Sequence, residues 1–293
     1  MRILHVWDQA GVACLMAKYQ RKLGHEALVV VRDGYDGLKQ KAFYGVKVVG
    51  MKKRKFRKFK FLRKPLYLIH RTINVLYFYL YVAWISRHFD VVHIHSVYLV
   101  SFFLPFKPKI VEFHGDDARR FPSKKWRIDK VVTRFYLKHF NKRHRFFVST
   151  PDLLRDVPNS RWIPNPVDVE HFNPKRWNVE KKLGTALYSW NWYEIPLRAE
   201  LLAKDMGLKL YILNRKEGEY VLYKDFPRVL GRFEYYIDRY RIRSLSKTAL
   251  EALVMGLKVI DWEGKVIQGF PEEHHPLNVA KRTIKIYEEV LGE

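Results

Sequence analysis

The sequence predicts an α/β protein built on parallel sheets, and three observations carry that expectation. The chain opens with a short apolar strand from Arg2 to Trp7, the loop Asp8-Gln9-Ala10-Gly11 and a helix from about Val12 to Leu23. Ala27 to Val31 follows as a run apolar enough to be buried on both faces, which completes a βαβ unit. Next, one design recurs three times: Asp90 to Ser96, Lys109 to Asp117 and Arg145 to Thr150 are apolar strands that end in polar residues. Finally, Ser244 to Ile260 reads as a polar loop, a helix and a buried strand.

A chain of 293 residues holds two domains of ordinary size or one large one. An apolar fraction of 48% with 15% aromatics supplies real cores and excludes a disordered chain. The single Cys14 excludes an intrachain disulfide and fits a reducing compartment. Met1 runs straight into a strand, so no signal peptide is expected. The net charge of +25 favours anionic partners, whether nucleic acid, lipid headgroups or phosphorylated substrates.

The loop that ends in Gly11 lies at the carboxyl end of the first strand, where open α/β sheets bind ligands. Further on, Lys52, Lys53, Arg54, Lys55, Arg57, Lys58 and Lys60 alternate with Phe56, Phe59 and Phe61, and the basic run continues to Lys64. Three readings of this segment stand side by side. It can be a solvated surface, a membrane-docking segment with cations for headgroups and rings for the interface, or a surface for single-stranded nucleic acid. Ile73 to Ile85 is apolar but short of the ~20 residues that span a bilayer, so it is expected as a buried or interfacial helix.

Arg161 to Asp168, followed by Phe172-Asn173-Pro174, is a Pro-rich turn that leaves a strand and leads into a linker. Beyond it, Thr185 to Trp190, Lys209 to Asn214 and Arg228 to Gly231 read as strands, Pro196 to Met206 and Leu277 to Leu291 as helices.

The Ser244 segment holds the main candidate site. Ser246 stands where an N-cap belongs, and Lys247 and Thr248 occupy the first helical turn. A helix N-terminus carries about half a positive charge and free N–H groups, so with Lys247 it suits a phosphate. Glu251, one turn on, is placed to reach a neutral hydroxyl such as that of a ribose. An ordinary capped amphipathic helix has the same pattern. His114, at a strand's carboxyl end before Gly115, faces the expected cleft. Asp116-Asp117 and His274-His275 lack further partners at ligand spacing, so no metal is expected. No nucleophilic triad and no dinucleotide-type glycine fingerprint appear.

Several of these motifs, in this order, resemble the family 4 glycosyltransferases. The opening M-R-I-L-H-V with G-H-E-A-L-V-V-V, then D-V-V-H-I-H, V-E-F-H-G-D and V-S-T-P, match successive strands of that family's N-terminal domain. I-P-N-P-V-D with F-N-P matches its closing turn, and L-E-A with G-L-K-V-I its donor-binding helix, Lys258 replacing a proline. The resemblance implies the GT-B fold: two Rossmann-like parallel-sheet domains facing a central cleft. The acceptor-side domain is expected at 1–174 and the donor domain at 175–275, with a helix over 276–293 crossing back. It also implies retaining transfer of a sugar from a nucleotide-sugar donor, without metal or cofactor, to a glycan or lipid-linked acceptor. His114 matches the family histidine near the reacting carbon, and Glu251 the glutamate that binds ribose. Gly11, Arg243, Ser246, Lys247 and Thr248 complete the expected donor site.

Two departures qualify the match. The first family glutamate falls on Arg243 and the glycines of its turn on Ser244 and Ser246. The basic pair that holds the donor diphosphate is missing after the strand that runs into Ser189-Trp-Asn-Trp-Tyr-Glu194. A catalytically impaired scaffold is therefore the alternative, with a basic nucleic-acid-binding protein behind it. The expected location is the cytoplasm, at the inner membrane face.

Overall fold

The computed structural model describes residues 1–33, 39–50, 63–115, 117–119, 128–140, 145–190, 196–214, 217, 219 and 221–292, with backbone alone at 63–66 and 128–130. Lys52 to Phe61, the candidate docking segment, lies outside the described residues, as does Asp116.

The first layer follows the chain as β1 (Arg2–Val6), α1 (Val12–Lys22), β2 (Glu26–Arg32), α2 (Gln40–Phe43), β3 (Lys47–Val49), α3 (Arg63–Ile85), β4 (Val91–His95), β5 (Lys109–Phe113), α4 (Ile128–Phe140), β6 (Arg145–Val148) and β7 (Arg161–Trp162). The strands pair in the order β3-β2-β1-β4-β5-β6-β7, all parallel. β4 and β5 are buried at every position because helices cover both faces. Side chains alternate between those faces. Leu4, Val92, Ile94, Val111 and Phe113 join one core with Phe78 and Val82 of α3 and Tyr136 of α4. Ile3, Val91 and Ile110 join the other with Ala13 and Met16 of α1.

The second layer contains α5 (Pro174–Trp177), β8 (Lys182–Trp190), α6 (Leu197–Asp205), β9 (Lys209–Asn214), α7 (Phe226–Leu230), β10 (Phe233–Ile237), α8 (Lys247–Val254), β11 (Lys258–Ile260) and β12 (Val266–Ile267). Its sheet runs β12-β11-β10-β8-β9, parallel except for β12. Two parallel α/β sheets thus face one cleft, as the sequence predicts. The strand expected at Arg228 to Gly231 is instead the end of α7. Pro227 suits a first helical turn, and Phe226 and Leu230, four apart, are both buried. The β10 strand begins only at Phe233.

The helix α9 (Pro276–Leu291) returns to the first layer. Val279, Ile286 and Tyr287 lie in the core that α1 covers. The helix α3 is longer than its apolar stretch suggests. Phe78, Val82 and Ile85 are buried, while Tyr67, Leu68, Ile69, Ile73, Leu76, Tyr77, Leu80 and Trp84 are exposed. Among the described residues no helix is long and apolar enough to cross a membrane.

Candidate active site in the cleft between the sheets

A cavity of about 230 Å³ opens where the carboxyl ends of the two sheets meet. Residues of the first layer (Ala10, His114, Arg119) and of the second (Arg239, Ser246, Lys247, Thr248) line it. Its second-layer wall is the start of α8. Ser246 has the extended φ of −69° and ψ of 159° of an N-cap, and its Oγ accepts from the Ala249 amide at 3.0 Å. That bond uses the oxygen as acceptor and leaves the hydroxyl proton free to donate. The Ser246 amide donates to Asp238 Oδ2 at 2.8 Å, which holds the loop against the end of β10. Burial pushes the Asp238 carboxyl above its ordinary range. Lys247 Nζ donates to the Ala10 carbonyl and so bridges the cleft.

The first-layer wall is His114, and a buried polar chain stands behind it. His5, His93, His95 and Glu112 share the α1 side of the sheet because they alternate with apolar residues along β1, β4 and β5. Register then sets them beside one another: His5 pairs with His93, and His95 with Glu112. Gln20 Nε2 donates to Thr283 Oγ1 and the Tyr287 hydroxyl, so its Oε1 accepts from His5 Nε2 at 2.8 Å. His5 Nδ1 is 3.0 Å from His95 Nε2, and His95 Nδ1 is 3.0 Å from His114 Nε2.

Burial lowers His5 and His95 to about 3 and His93 to about 4, so all three are neutral at pH 7. A neutral ring has one donor and one acceptor nitrogen, so the order of protons is fixed from Gln20 outward. His114 must donate from Nε2 to His95, which leaves Nδ1 as the ring nitrogen outside this chain of bonds. Tyr287 donates to His93 Nδ1 at 2.7 Å, and His93 then turns its Nε2 proton towards Glu112.

Glu112 is fully buried, with Oε2 at 3.0 Å from His93 Nε2, 3.2 Å from His95 Nδ1 and 3.6 Å from His114 Nε2. These contacts are close but poorly aligned, because neither carboxylate oxygen makes a well-directed hydrogen bond. Burial alone would raise Glu112, but attraction to His114 and the Nε2 proton that His93 turns towards it hold it well below the usual carboxylate range. A buried negative charge behind a ring with one free nitrogen stabilises positive charge on that ring. Ligand atoms of His95, Glu112 and His114 lie within 4.8 Å of one another, a spacing that a divalent cation also satisfies. The donor-to-acceptor order accounts for the distances between the histidine rings.

Not every expected residue reaches this cavity. Gly11 takes a left-handed φ of 74° at the start of α1, and its amide donates to Asp8 Oδ2 at 3.0 Å. A Cβ there would meet Gln40 Nε2 at 2.6 Å and Tyr44 Cε2 at 2.9 Å, so the glycine lets α2 close on α1. Glu251 is 4% exposed, outside the lining, and its charge raises the Tyr223 phenol, which is shifted mainly by burial. Tyr223 itself meets Tyr44, hydroxyl to hydroxyl at 3.0 Å, and Tyr44 donates to Asp168 Oδ2 at 3.1 Å. These bonds tie α2 of the first layer to the second. Arg243 is exposed and lines a neighbouring cavity.

Two cations in the lining were not singled out by the sequence. Arg239 follows β10, and its buried Nε has no hydrogen-bond partner among the described residues. Arg119 sits under Gly115, whose φ of 148° suits glycine, and a Cβ there would come within 2.4 Å of Arg119 Nη1. Basic residues that become neighbours only through folding leave no local spacing to read.

The profile of Glycosyltransferase Family 4 matches residues 10–171, more than half of the chain. The chain belongs to glycosyltransferase family 4. Solved structures similar to this family 4 chain include glycosyltransferases. AviGT4, involved in avilamycin A biosynthesis, aligns with a TM-score of 0.58 at 13% identity, over 100% of this chain and 98% of its own. HepE of Anabaena in complex with UDP aligns at 0.51 and 9%, over 99% and 92%. The spinosyn rhamnosyltransferase SpnG with thymidine diphosphate aligns at 0.50 and 15%, over 100% and 92%. At these identities the likeness establishes the GT-B fold. No curated protein matches the family 4 chain in sequence.

Proposed function

We propose that this chain transfers a sugar, with retention, from a nucleotide-sugar donor to an acceptor held in the cleft. One observation carries the reading. The cavity sets His114 opposite the start of α8, with Arg239 and Lys247 beside it. A diphosphate there would take the N–H groups of the first turn, the Ser246 and Thr248 hydroxyls and the two cations. Arg239 would replace the basic pair that relatives carry after the strand corresponding to β8. His114 would face the sugar and steady charge as the glycosidic bond to phosphate breaks. Glu251 would bind the ribose. The donor is a substrate, and the reading needs neither cofactor nor metal. It assigns acceptor binding to 1–174, donor binding to 175–275 and a crossing helix to 276–293. Arg243 at the glutamate position favours the second reading, a scaffold that binds donor without turning it over.

A thermal-shift screen of nucleotide sugars tests this. A specific donor at a hundred times its Kd stabilises by about 2.7 kcal/mol through mass action, a rise of several degrees. If no nucleotide sugar or nucleoside diphosphate moves the melting temperature, the reading falls.

The acceptor is proposed to be lipid-linked or a cell-surface glycan, met at the cytoplasmic membrane face. The exposed apolar side of α3 supports this, since the basic run Lys52 to Lys64 leads directly into that helix. Co-sedimentation with vesicles is expected to rise with anionic lipid and fall with salt. Equal partition onto neutral vesicles at high salt contradicts it.

A further inference from the structure

The first-layer wall of the cavity between the sheets continues past His114, because Ser149 and Asn165 also line it. His114 directly follows β5, Ser149 directly follows β6, and Asn165 lies just beyond β7. These strands are neighbours in the sheet, so the three residues stand along one rim at its carboxyl ends. Backbone bonds hold the two new members. The Ser149 amide donates to the Phe113 carbonyl at 3.0 Å, and its carbonyl accepts from Trp162 Nε1 at 3.2 Å. The Asn165 carbonyl accepts from His274 Nδ1 at 2.8 Å. The Trp162 and His274 rings in turn meet edge to face, with centroids 5.9 Å apart.

The side chains are not used in the same way. Ser149 is 1% exposed and Asn165 8%, yet Ser149 Oγ and Asn165 Oδ1 have no hydrogen-bond partner among the described residues. A polar atom buried without a partner costs stability, and most such atoms in folded proteins are paired. The polar groups beside them are committed. Thr150 Oγ1 accepts from Arg119 Nη2 at 3.0 Å, and Arg119 Nε donates to Asp152 Oδ2 at 2.8 Å. The two orphan atoms also differ in what they can bind. Asn165 Oδ1 only accepts, so an ionised phosphate oxygen, itself an acceptor, leaves it unsatisfied. A hydroxyl group can donate to Asn165 Oδ1 and accept from the Ser149 hydroxyl. The cations that suit phosphate, Arg239 and Lys247, belong to the second-layer wall.

We propose that Ser149 and Asn165 bind hydroxyl groups of the transferred sugar and so set which sugars the cleft accepts. The assignment rests on the donor occupying this cavity with its phosphates on the second-layer wall. Two measurements on wild type, Ser149→Ala and Asn165→Leu test it. The first is thermal unfolding without ligand. Removing an unpaired polar atom is expected to leave the melting temperature the same or higher. A fall of several degrees in both variants means that these side chains support the fold, and it overturns the proposal.

The second is calorimetry with UDP-glucose, UDP-galactose, UDP-N-acetylglucosamine, GDP-mannose and dTDP-glucose, each against its own nucleoside diphosphate. For the nucleotide sugar that wild type binds most tightly, each substitution should weaken binding roughly five- to tenfold. Binding of the matching nucleoside diphosphate should change less than twofold. Unchanged affinity for both ligands overturns the assignment and leaves the donor reading standing. Equal losses for both overturn it too, because the residues then serve the nucleotide and not the sugar. If wild type binds neither nucleotide sugar nor nucleoside diphosphate, the donor reading itself falls and this assignment with it.

Discussion

Replacing Arg239 and Lys247 together by alanine is expected to weaken nucleoside-diphosphate binding by roughly two to four orders of magnitude. Each residue offers a charge-assisted contact worth about 1.5–3 kcal/mol, and every 1.4 kcal/mol is about tenfold in Kd. Arg239→Ala and Lys247→Ala alone should each lose ten- to a hundredfold. Arg239 is the sharper test, because its Nε has no hydrogen-bond partner among the described residues, whereas Lys247 already donates to Ala10. Calorimetry with nucleoside diphosphate and nucleoside separates the effects. The diphosphate affinity should collapse while the nucleoside affinity stays within about twofold. Equal losses for both ligands would mean that the substitutions disturb the nucleoside pocket, and no loss would put the phosphates elsewhere.

His114→Ala is expected to slow nucleoside-diphosphate release from the donor by a hundredfold or more, the scale of a positioned ring lost from a reacting centre. The donor Kd should change little. Glu112→Gln keeps the shape and removes the buried charge, so it should give an intermediate loss in kcat. Gln20→Leu removes the anchor that orders the protons. In this variant the nitrogen-15 signals of His114 should change from a single Nε2–H tautomer to a mixture. A role for the network in folding alone would lower the amount of folded protein without altering that tautomer. Stoichiometric zinc in purified wild type, lost in Glu112→Gln, would replace the proton order with a metal centre.

The first layer is the more legible half. Its strands are buried on both faces, so they appear as apolar runs, and their polar ends mark the cleft. Period two even places His93 and His95 on one face of β4. The sequence does not show what completes the row, since Gln20 and Thr283 meet across 263 residues. The second layer is less regular. The α7 helix is one short turn, and residues such as Phe226 and Leu230 satisfy either a helix or the approach to a strand. The α8 cap was legible because an N-cap is local chemistry: Ser246 bonds an amide three residues on. The clamp was not, because Arg239 gains its meaning only where β10 ends against the other sheet.

The bond between Tyr287 and His93 ties the ring order of the site to α9, 194 residues downstream. A ribosome adds about 5–20 residues per second, so roughly 10–40 s separate synthesis of the two partners. During that interval β1, β4 and β5 can leave the exit tunnel and pair while the buried histidines still lack their final cover. A nascent chain whose strands pair in that interval would hold the sheet without the proton order. Ribosome-bound chains stalled before residue 276 would carry His114 on a strand end whose supporting row is open to water.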